Sequence, residues 1–134
     1  MPEFTAAIQN LIDRHFPPDS HPYRRLEAAV DGGLSPEATV LEIGCGRTAP
    51  VLKRLKGKAK NLIGIEVVDF TVADPALQLL TRDVADMHGI PDSSVDLAFS
   101  RSVMEHVPDA EGAFREIARV LKPGGRYVFL TPSL

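Results

Sequence analysis

The stretch TVLEIGCGRTAP, at residues 39–50, decides the fold. Its first five residues, in which Glu42 is the one charged side chain, are typical of a buried strand. Gly44 and Gly46 follow, and glycines let the backbone turn tightly and come close to a ligand. Thr48 is then placed to cap a helix. The stretch therefore predicts a strand, a glycine turn and a helix N-terminus, where a carboxylate or phosphate binds well.

Short apolar runs alternate with helical patterns after this stretch. They predict a helix over 109–121 and further strands at 61–65, 76–80, 95–99 and 126–131. The links at 66–75 and 83–94 are short for helical crossovers, so we expect irregular connections there. Strands that alternate with helices indicate an α/β fold with a mainly parallel sheet.

Helical spacing predicts two helices before the sheet, in residues 1–35, packed on a ligand-binding domain in residues 36–134. The second helix begins near Pro22, with Asp19 or Ser20 as its cap. The first helix is expected to bury the apolar residues Phe4, Ile8, Leu11, Ile12 and Phe16. In the helix over 109–121, the predicted inner face is Phe114, Ile117, Ala118 and Leu121, and Pro123-Gly124-Gly125 separates it from the last strand.

Composition narrows the classes of function. The 134 residues are 44% hydrophobic and 25% charged, as expected for one globular domain. The net charge of −3 argues against nucleic acid as a partner, and no apolar run approaches the roughly 20 residues of a membrane span. No signal peptide is visible, so a cytoplasmic location is expected. The single cysteine, Cys45, excludes an internal disulfide, and the histidine spacing predicts no metal site.

An acid at the end of the second predicted strand indicates an adenosine-containing cofactor. Glu66 follows the glycine turn by about 20 residues, the position from which a carboxylate binds ribose hydroxyls. Gly44, Gly46 and Ala49 also fit a dinucleotide fingerprint, which would indicate an NAD-dependent oxidoreductase. Glu42 argues against a pyrophosphate, because like charges repel at close range. It suits the ammonium and sulfonium groups of S-adenosylmethionine instead.

Five segments resemble, in order, the motifs of class I S-adenosylmethionine-dependent methyltransferases of the type 11 group. Residues 42–46 resemble the glycine-rich first motif and 64–66 the second-strand motif. Residues 83–96 are similar to the adenine-binding stretch and the start of the fourth strand. Segments 102–109 and 119–125 continue the pattern, so that the resemblance covers residues from Thr39 to the end of the chain.

The resemblance implies a doubly wound, Rossmann-like sheet with strand order 3-2-1-4-5 and S-adenosyl-L-methionine as the cofactor. Thr48 stands where the family often has a third glycine. The family fold usually has two strands after the fifth, so we expect a fold truncated after strand 5. The strand over 126–131 would then lie at a sheet edge, where unpaired backbone groups favour self-association.

The resemblance also assigns roles to individual residues. It places Glu66 on the ribose and Asp83 on the adenine amino group, with Val84 supplying a backbone N–H to the ring. Glu42 is expected near the methionine end. The other predicted cofactor contacts come from the glycine turn and from the residues after the fourth strand: Gly44, Cys45, Gly46, Arg47, Ser100 and Arg101. The Cys45 side chain is expected to pack in the turn rather than to act as a nucleophile.

His106 is the one histidine in a motif position, and it is a candidate general base or a structural wall residue. Tyr23, Arg24 and Arg25 are candidates to close over the cofactor. The expected reaction is direct attack of a substrate oxygen, nitrogen or carbon on the sulfonium methyl, with a small-molecule or sugar- or lipid-linked acceptor. A cofactor-binding module without turnover remains an alternative, beside the oxidoreductase. No membrane partner is expected.

Overall fold

The computed structural model describes residues 2–17 and 20–132, with side chains from residue 5 onward. The predicted cap Asp19 and the side chain of Phe4 lie outside the described residues. The elements are α1 (Pro2–His15), α2 (Pro22–Asp31), β1 (Thr39–Ile43), α3 (Pro50–Arg54), β2 (Asn61–Glu66), β3 (Leu77–Thr81), β4 (Val95–Arg101), a 3₁₀ helix (Met104–His106), α4 (Ala110–Val120) and β5 (Leu121–Leu130).

Parallel strands form one sheet in the order β3-β2-β1-β4-β5. The central strand β1 pairs with β2 and β4, so that Glu42 lies beside Gly64 and Phe99. Val40 belongs to the core that α2 and α3 cover, whereas Leu41 belongs to the core that α4 covers. The order confirms the predicted doubly wound, Rossmann-like α/β fold. It brings the carboxyl ends of β1, β2 and β4 together at one edge of the sheet, where ligands bind in such folds.

The two links predicted to be irregular contain no helix in the structure. The second of them is held by Arg119 of α4. Its guanidinium donates to the carbonyl oxygens of Ile90 at 2.9 Å and Met87 at 3.1 Å, and it pairs with Glu116 and Asp92 at 2.7 Å each. One side chain thus satisfies carbonyl groups that a crossover helix would have satisfied internally.

Helix α1 does not pack as predicted. Ile8, Leu11, Ile12 and Phe16 are 42%, 55%, 44% and 68% exposed, so the expected core packing is wrong for these residues. Helical spacing marks an apolar stripe without saying what the stripe meets. Helix α2 does bury its stripe, and the division at residues 35 and 36 stays a prediction. Among the described helices, none is long and apolar enough to cross a membrane.

The cap of α2 differs from the prediction. Ser20 donates its hydroxyl hydrogen to the carbonyl of Pro17 at 2.8 Å instead of capping the helix. His21 is the N-cap residue, and its Nδ1 accepts a hydrogen bond from the backbone N–H of Tyr23 at 3.2 Å. An imidazole nitrogen therefore replaces the oxygen that sequence rules favour at this position.

Thr48 does not cap α3. The N-cap residue is Ala49, in the left-handed conformation with φ of 46°, and its side chain makes no capping bond. The glycine turn therefore passes into the helix through a strained alanine, a conformation that propensity does not anticipate.

The inner face of α4 is rotated relative to the prediction. The buried apolar residues are Ala113, Ile117 and Val120, whereas Phe114 and Ala118 are exposed. Phe114 instead contacts the rings of Tyr127 and Phe129 on β5. The predicted face is therefore wrong for Phe114 and Ala118 and correct for Ile117, while Leu121, the first residue of β5, is half-buried against the same core.

Strand β5 begins earlier than predicted. Its pairing with β4 starts at Leu121 and resumes at Arg126, with Pro123-Gly124-Gly125 in a bulge between the two paired parts. The φ of Gly124 is 82°, which glycine adopts without strain. The Pro-Gly-Gly segment is therefore a bulge within the strand rather than the break before it.

Candidate functional site

The glycine turn after β1 is fixed by two neighbours. The backbone N–H groups of Gly44 and Cys45 both donate to the carbonyl of Ile65, at 2.9 and 3.1 Å. Gly44 has a φ of 71°, and a Cβ there would lie 2.5 Å from Cγ2 of Val103. Glycine is therefore required for the backbone angle and for the close approach of the segment after β4.

Glu66 ties the end of β2 to this turn. Its Oε2 accepts a hydrogen bond from the backbone N–H of Gly46 at 2.9 Å, and its Oε1 accepts one from Val67 at 3.0 Å. Each carboxylate oxygen has a further lone pair, so both can still accept bonds from a ligand. Glu66 thus supports the turn and remains able to bind hydroxyl groups.

Cavity A, of about 370 Å³, opens at the carboxyl ends of β1 and β2. This volume lies in the range typical of small-molecule sites. The structure brings six of the predicted residues together in its walls: Gly44, Glu66, Asp83, Val84, Arg101 and His106.

Asp83 and Val84 form the turn on one side of cavity A. Asp83 is exposed, and its Oδ1 accepts a hydrogen bond from the N–H of Ala85 at 2.8 Å. The carbonyl of Asp83 accepts from the N–H of Asp86 at 2.9 Å, which closes the turn. The side chain of Val84 is 5% exposed and anchors the turn in the core.

Glu42 opens on a different space, cavity B, of about 220 Å³ between α2 and α3. Its side chain is 6% exposed, and its buried Oε1 has no hydrogen-bond partner among the described residues. Burial raises the pKa of Glu42 to about 7, against the opposing charges of Arg101 and Arg54. A buried acceptor without a partner is costly, so it indicates a place for a ligand with a hydrogen-bond donor.

Arg101 lies between the two cavities and contributes to the walls of both. It was predicted to follow the fourth strand together with Ser100, but both residues belong to β4, which extends to Arg101. The guanidinium carbon lies 4.3 Å from the ring centroid of Tyr23 on α2. Tyr23 lines cavity B, and its closing over the cofactor, together with Arg24 and Arg25, stays a prediction.

Ser100 is fully buried and lines neither cavity. Its hydroxyl lies 2.6 Å from that of Tyr127 and is hydrogen-bonded to it. The structure therefore separates Ser100 from the other predicted contacts, because successive side chains of a strand point to opposite faces.

Three residues of the glycine turn line neither cavity. Gly46 serves Glu66 through its backbone N–H. Cys45 is buried in the core, where burial raises the pKa of its thiol to about 12, so it is not a thiolate nucleophile. Arg47 is exposed, and its carbonyl accepts a hydrogen bond from the N–H of Thr71 at 3.1 Å.

His106 ends the 3₁₀ helix at the wall of cavity A. Its side chain is 79% exposed, and its Nε2 is 3.8 Å from Oε1 of Glu105. Sequence reasoning missed Val103 and Arg54, which shape the glycine turn and cavity B. The position of Val103 just after a strand end is a sequence signal that could have identified it, whereas Arg54 has no such signal.

The chain is similar to known methyltransferases. A model described as a methyltransferase domain matches residues 41–129. A sterol 24-C-methyltransferase, erg6, of Aspergillus fumigatus is 31% identical over 104 aligned positions, covering 69% of this chain and 27% of that protein. A probable S-adenosylmethionine-dependent methyltransferase of Mycolicibacterium smegmatis is 32% identical over 99 positions, covering 70% and 38%. The crystal structure of the YcgJ protein from Bacillus subtilis matches with a TM-score of 0.70 and 23% identity, over 80% of this chain and 50% of that one.

Fold, glycine turn and strand-end acids together define a class I methyltransferase domain. The chain belongs to the methyltransferase type 11 family, whose cofactor is S-adenosyl-L-methionine. The match decides against the oxidoreductase interpretation of the glycine turn. The chain spans less than half the length of either curated relative. Its residues fit the cofactor, because the Oε1 of Glu42, which no described residue hydrogen-bonds, offers an acceptor to an ammonium group.

Proposed function

We propose that this domain binds S-adenosyl-L-methionine across cavities A and B and transfers its methyl group to a small-molecule acceptor. The observation that carries the proposal is the buried Oε1 of Glu42, which has no partner within the described part of the chain and lies in a cavity that Arg101 also lines. An α-amino acid carries an ammonium and a carboxylate on one carbon. A buried carboxylate and a guanidinium that line the same cavity match both charges.

In this proposal the adenosine end of the cofactor lies in cavity A. Glu66 accepts hydrogen bonds from the ribose hydroxyls with the lone pairs that the backbone N–H groups leave free. Asp83 faces the adenine amino group, and Val84 supplies its backbone N–H to the ring. All three residues line the same cavity, which supports these assignments.

The methionine end extends past the glycine turn toward Arg101. Glu42 meets the ammonium group, and Arg101 meets the carboxylate, with Arg47 as a further cation near the turn. When bound, the cofactor supplies an activated methyl group on sulfur. The residues of the chain bind and orient it and exclude water from the reacting atoms.

His106 is proposed as a wall residue at the mouth of cavity A, in accord with its exposure. With an accepted substrate, His106→Gln should then lower the rate of S-adenosylhomocysteine formation less than tenfold. A loss of about 10²–10⁴ would instead mark His106 as the general base.

The acceptor is proposed to be a small molecule or a sugar- or lipid-linked intermediate. The net charge of −3 supports this class over nucleic acid. The sterol 24-C-methyltransferase among the relatives acts, by its name, on a sterol, which supports a small-molecule acceptor. A module that holds the cofactor without turnover is the alternative, and it would bind the same cofactor without forming product.

Calorimetry tests the binding part of the proposal. S-adenosylhomocysteine should bind, NAD should not, and Glu66→Ala should weaken S-adenosylhomocysteine by roughly 10- to 100-fold. Glu66→Gln is the matched control, because it keeps the shape and one acceptor oxygen. Binding of NAD alone, or full affinity in Glu66→Ala, would contradict the proposal.

We also propose that a second copy of this chain pairs with the edge of β5. This strand is last in the sheet order, and the rings of Phe114, Tyr127 and Phe129 cluster beside it. Phe129 is 42% exposed. Such an edge is a template for another strand. Light scattering at high micromolar concentration should detect dimers that Phe129→Glu removes, whereas a monomeric wild-type protein would refute the pairing.

A further inference from the structure

Arg101 lies at the junction of cavities A and B. Among the described residues it alone contributes to the walls of both cavities, and it is the last residue of β4. No described carboxylate lies within 4 Å of its guanidinium, since none of the ion pairs includes it. A long side chain without a fixed partner loses considerable rotamer freedom when it binds a ligand. Arg101 therefore loses less side-chain entropy on binding a ligand if a neighbouring group already restricts its rotamers.

The ring of Tyr23 provides that limit. The guanidinium carbon is 4.3 Å from the ring centroid, well inside the roughly 6 Å at which a cation is attracted to an aromatic face. Tyr23 lines cavity B together with Arg101 and Glu42. The ring thus contacts the guanidinium in the same cavity that the buried carboxylate of Glu42 lines.

Tyr23 is itself held in place. Its backbone N–H donates to Nδ1 of His21, and the two rings meet edge to face with centroids 5.0 Å apart. Further along the same helix, Leu26 and Val30 are buried in the core that α2 shares with the sheet. The ring is 42% exposed, and it is carried by a helix that is anchored on the domain.

We propose that Tyr23 is a positioning residue, whose ring holds Arg101 at the junction of the two cavities to receive the carboxylate of the cofactor's amino-acid end. This inference rests on the proposed function, and it adds a residue of α2 that touches no reacting atom. The proposal predicts that Tyr23 affects the affinity only of ligands that carry an amino-acid end.

Two ligands separate this role from a structural one. S-adenosylhomocysteine has the amino-acid end, whereas 5′-methylthioadenosine keeps the adenosine and the sulfur but lacks that end. Both are titrated by calorimetry into the wild-type chain and into Tyr23→Leu and Tyr23→Phe. In Tyr23→Leu the Kd of S-adenosylhomocysteine should rise roughly two- to fivefold, the range expected for a partly exposed cation–π contact. The Kd of 5′-methylthioadenosine should not change, and Tyr23→Phe should bind both as the wild type does.

A double-mutant cycle adds a second measurement that does not depend on one variant. Arg101→Gln should weaken S-adenosylhomocysteine and leave 5′-methylthioadenosine unchanged. Because Tyr23 acts through Arg101, the double variant should be no weaker than Arg101→Gln alone. Additive losses would overturn the proposal.

The remaining outcomes are also decisive. Equal weakening of both ligands in Tyr23→Leu would mean that Tyr23 only stabilises the fold, and unchanged affinity for both would mean that it does not position Arg101. A loss in Tyr23→Phe would assign the effect to the hydroxyl group and overturn the role of the ring. If the wild-type chain bound neither ligand, the proposed function itself would fail, which the other outcomes do not imply.

Discussion

Replacing Glu42 with glutamine tests the central electrostatic feature of the site. The carboxylate is 6% exposed, and its Oε1 has no partner among the described residues. Burial is the largest cause of its raised pKa, and the charge of Glu66 adds to the effect, while Arg101 and Arg54 oppose it. Glutamine keeps the shape of the side chain and removes the charge that burial penalises.

The sign of the effect on stability follows from the direction of the pKa shift. The pKa of Glu42 is about 7 in the folded protein against an ordinary value of 4.5, so the folded state binds the proton more tightly. The resulting stabilisation is fully present below pH 4.5 and is lost as the pH rises to 7. At about 1.4 kcal/mol for each pKa unit, the loss amounts to about 3 kcal/mol.

Urea unfolding of the wild type and Glu42→Gln at pH 5 and pH 8 measures this loss. The free energy of unfolding of the variant relative to the wild type should increase by about 2–3 kcal/mol between the two pH values. Asp74, Asp96 and Glu116, whose pKa values are lowered, contribute equally to both proteins and cancel in the difference. A difference that is independent of pH would refute the reasoning.

Binding should show the opposite trend. The ionised carboxylate is the form that meets an ammonium group, so the affinity of the wild type for S-adenosylhomocysteine should rise as the pH increases toward 7. Below that value it should fall by up to tenfold for each pH unit. Glu42→Gln should lack this slope, and 5′-methylthioadenosine should show no such slope with either protein.

Substitutions at three further positions test the packing that positions the site. Gly64→Ala should destabilise the fold by about 1–3 kcal/mol in urea unfolding, because its Cβ would lie 2.7 Å from Sγ of Cys45. Asp109→Ala should cost about 0.5–2 kcal/mol through loss of the α4 cap, and Asp109→Asn should retain most of it. Arg119→Ala should cost about 2–4 kcal/mol and expose the preceding link to hydrogen exchange, since it frees two part-buried carbonyl groups.

The architecture could be predicted from the sequence because local and global signals agree. The apolar run that contains Glu42 forms the central strand, buried on both faces, which is the setting where composition is most informative. Helix α1 could not be predicted in the same way. Its stripe of apolar residues, with Leu11 more than half exposed, satisfies the helical pattern without packing on the sheet. Periodicity describes an element, and packing depends on what lies opposite it.

The bulge in β5 shows the limit of turn signals. Pro123-Gly124-Gly125 is a strong breaker pattern, and it predicts the end of one element and the start of another. In the structure Leu121 already pairs with Val95, and Pro123-Gly124-Gly125 forms a bulge between the two paired parts of the strand. The sequence signal was correct about the local conformation and wrong about its place in the sheet.

The sequence predicts the place of those candidate site residues that lie at or just after the ends of strands. Glu66 closes β2 and Asp83 follows β3, and parallel strands bring their carboxyl ends to one edge of the sheet. Ser100 was also near a strand end, but a shift of one residue along a strand turns the side chain to the other face. Its hydroxyl therefore bonds Tyr127 in the core, while Arg101, one residue later, reaches both cavities.

Cavities A and B offer side chains that suit different chemical groups of a ligand. Cavity A offers Glu66 and Asp83, which suit hydroxyl and amino groups, whereas cavity B offers a buried carboxylate with an unsatisfied oxygen. A ligand confined to cavity A would leave the cost of burying Glu42 unrelieved. A ligand that carries an ammonium group past Arg101 would relieve it and restore the charged form of the carboxylate. The buried carboxylate and the two-part shape of the site therefore both suit the proposed cofactor, whose amino-acid group would lie at the junction of the two cavities.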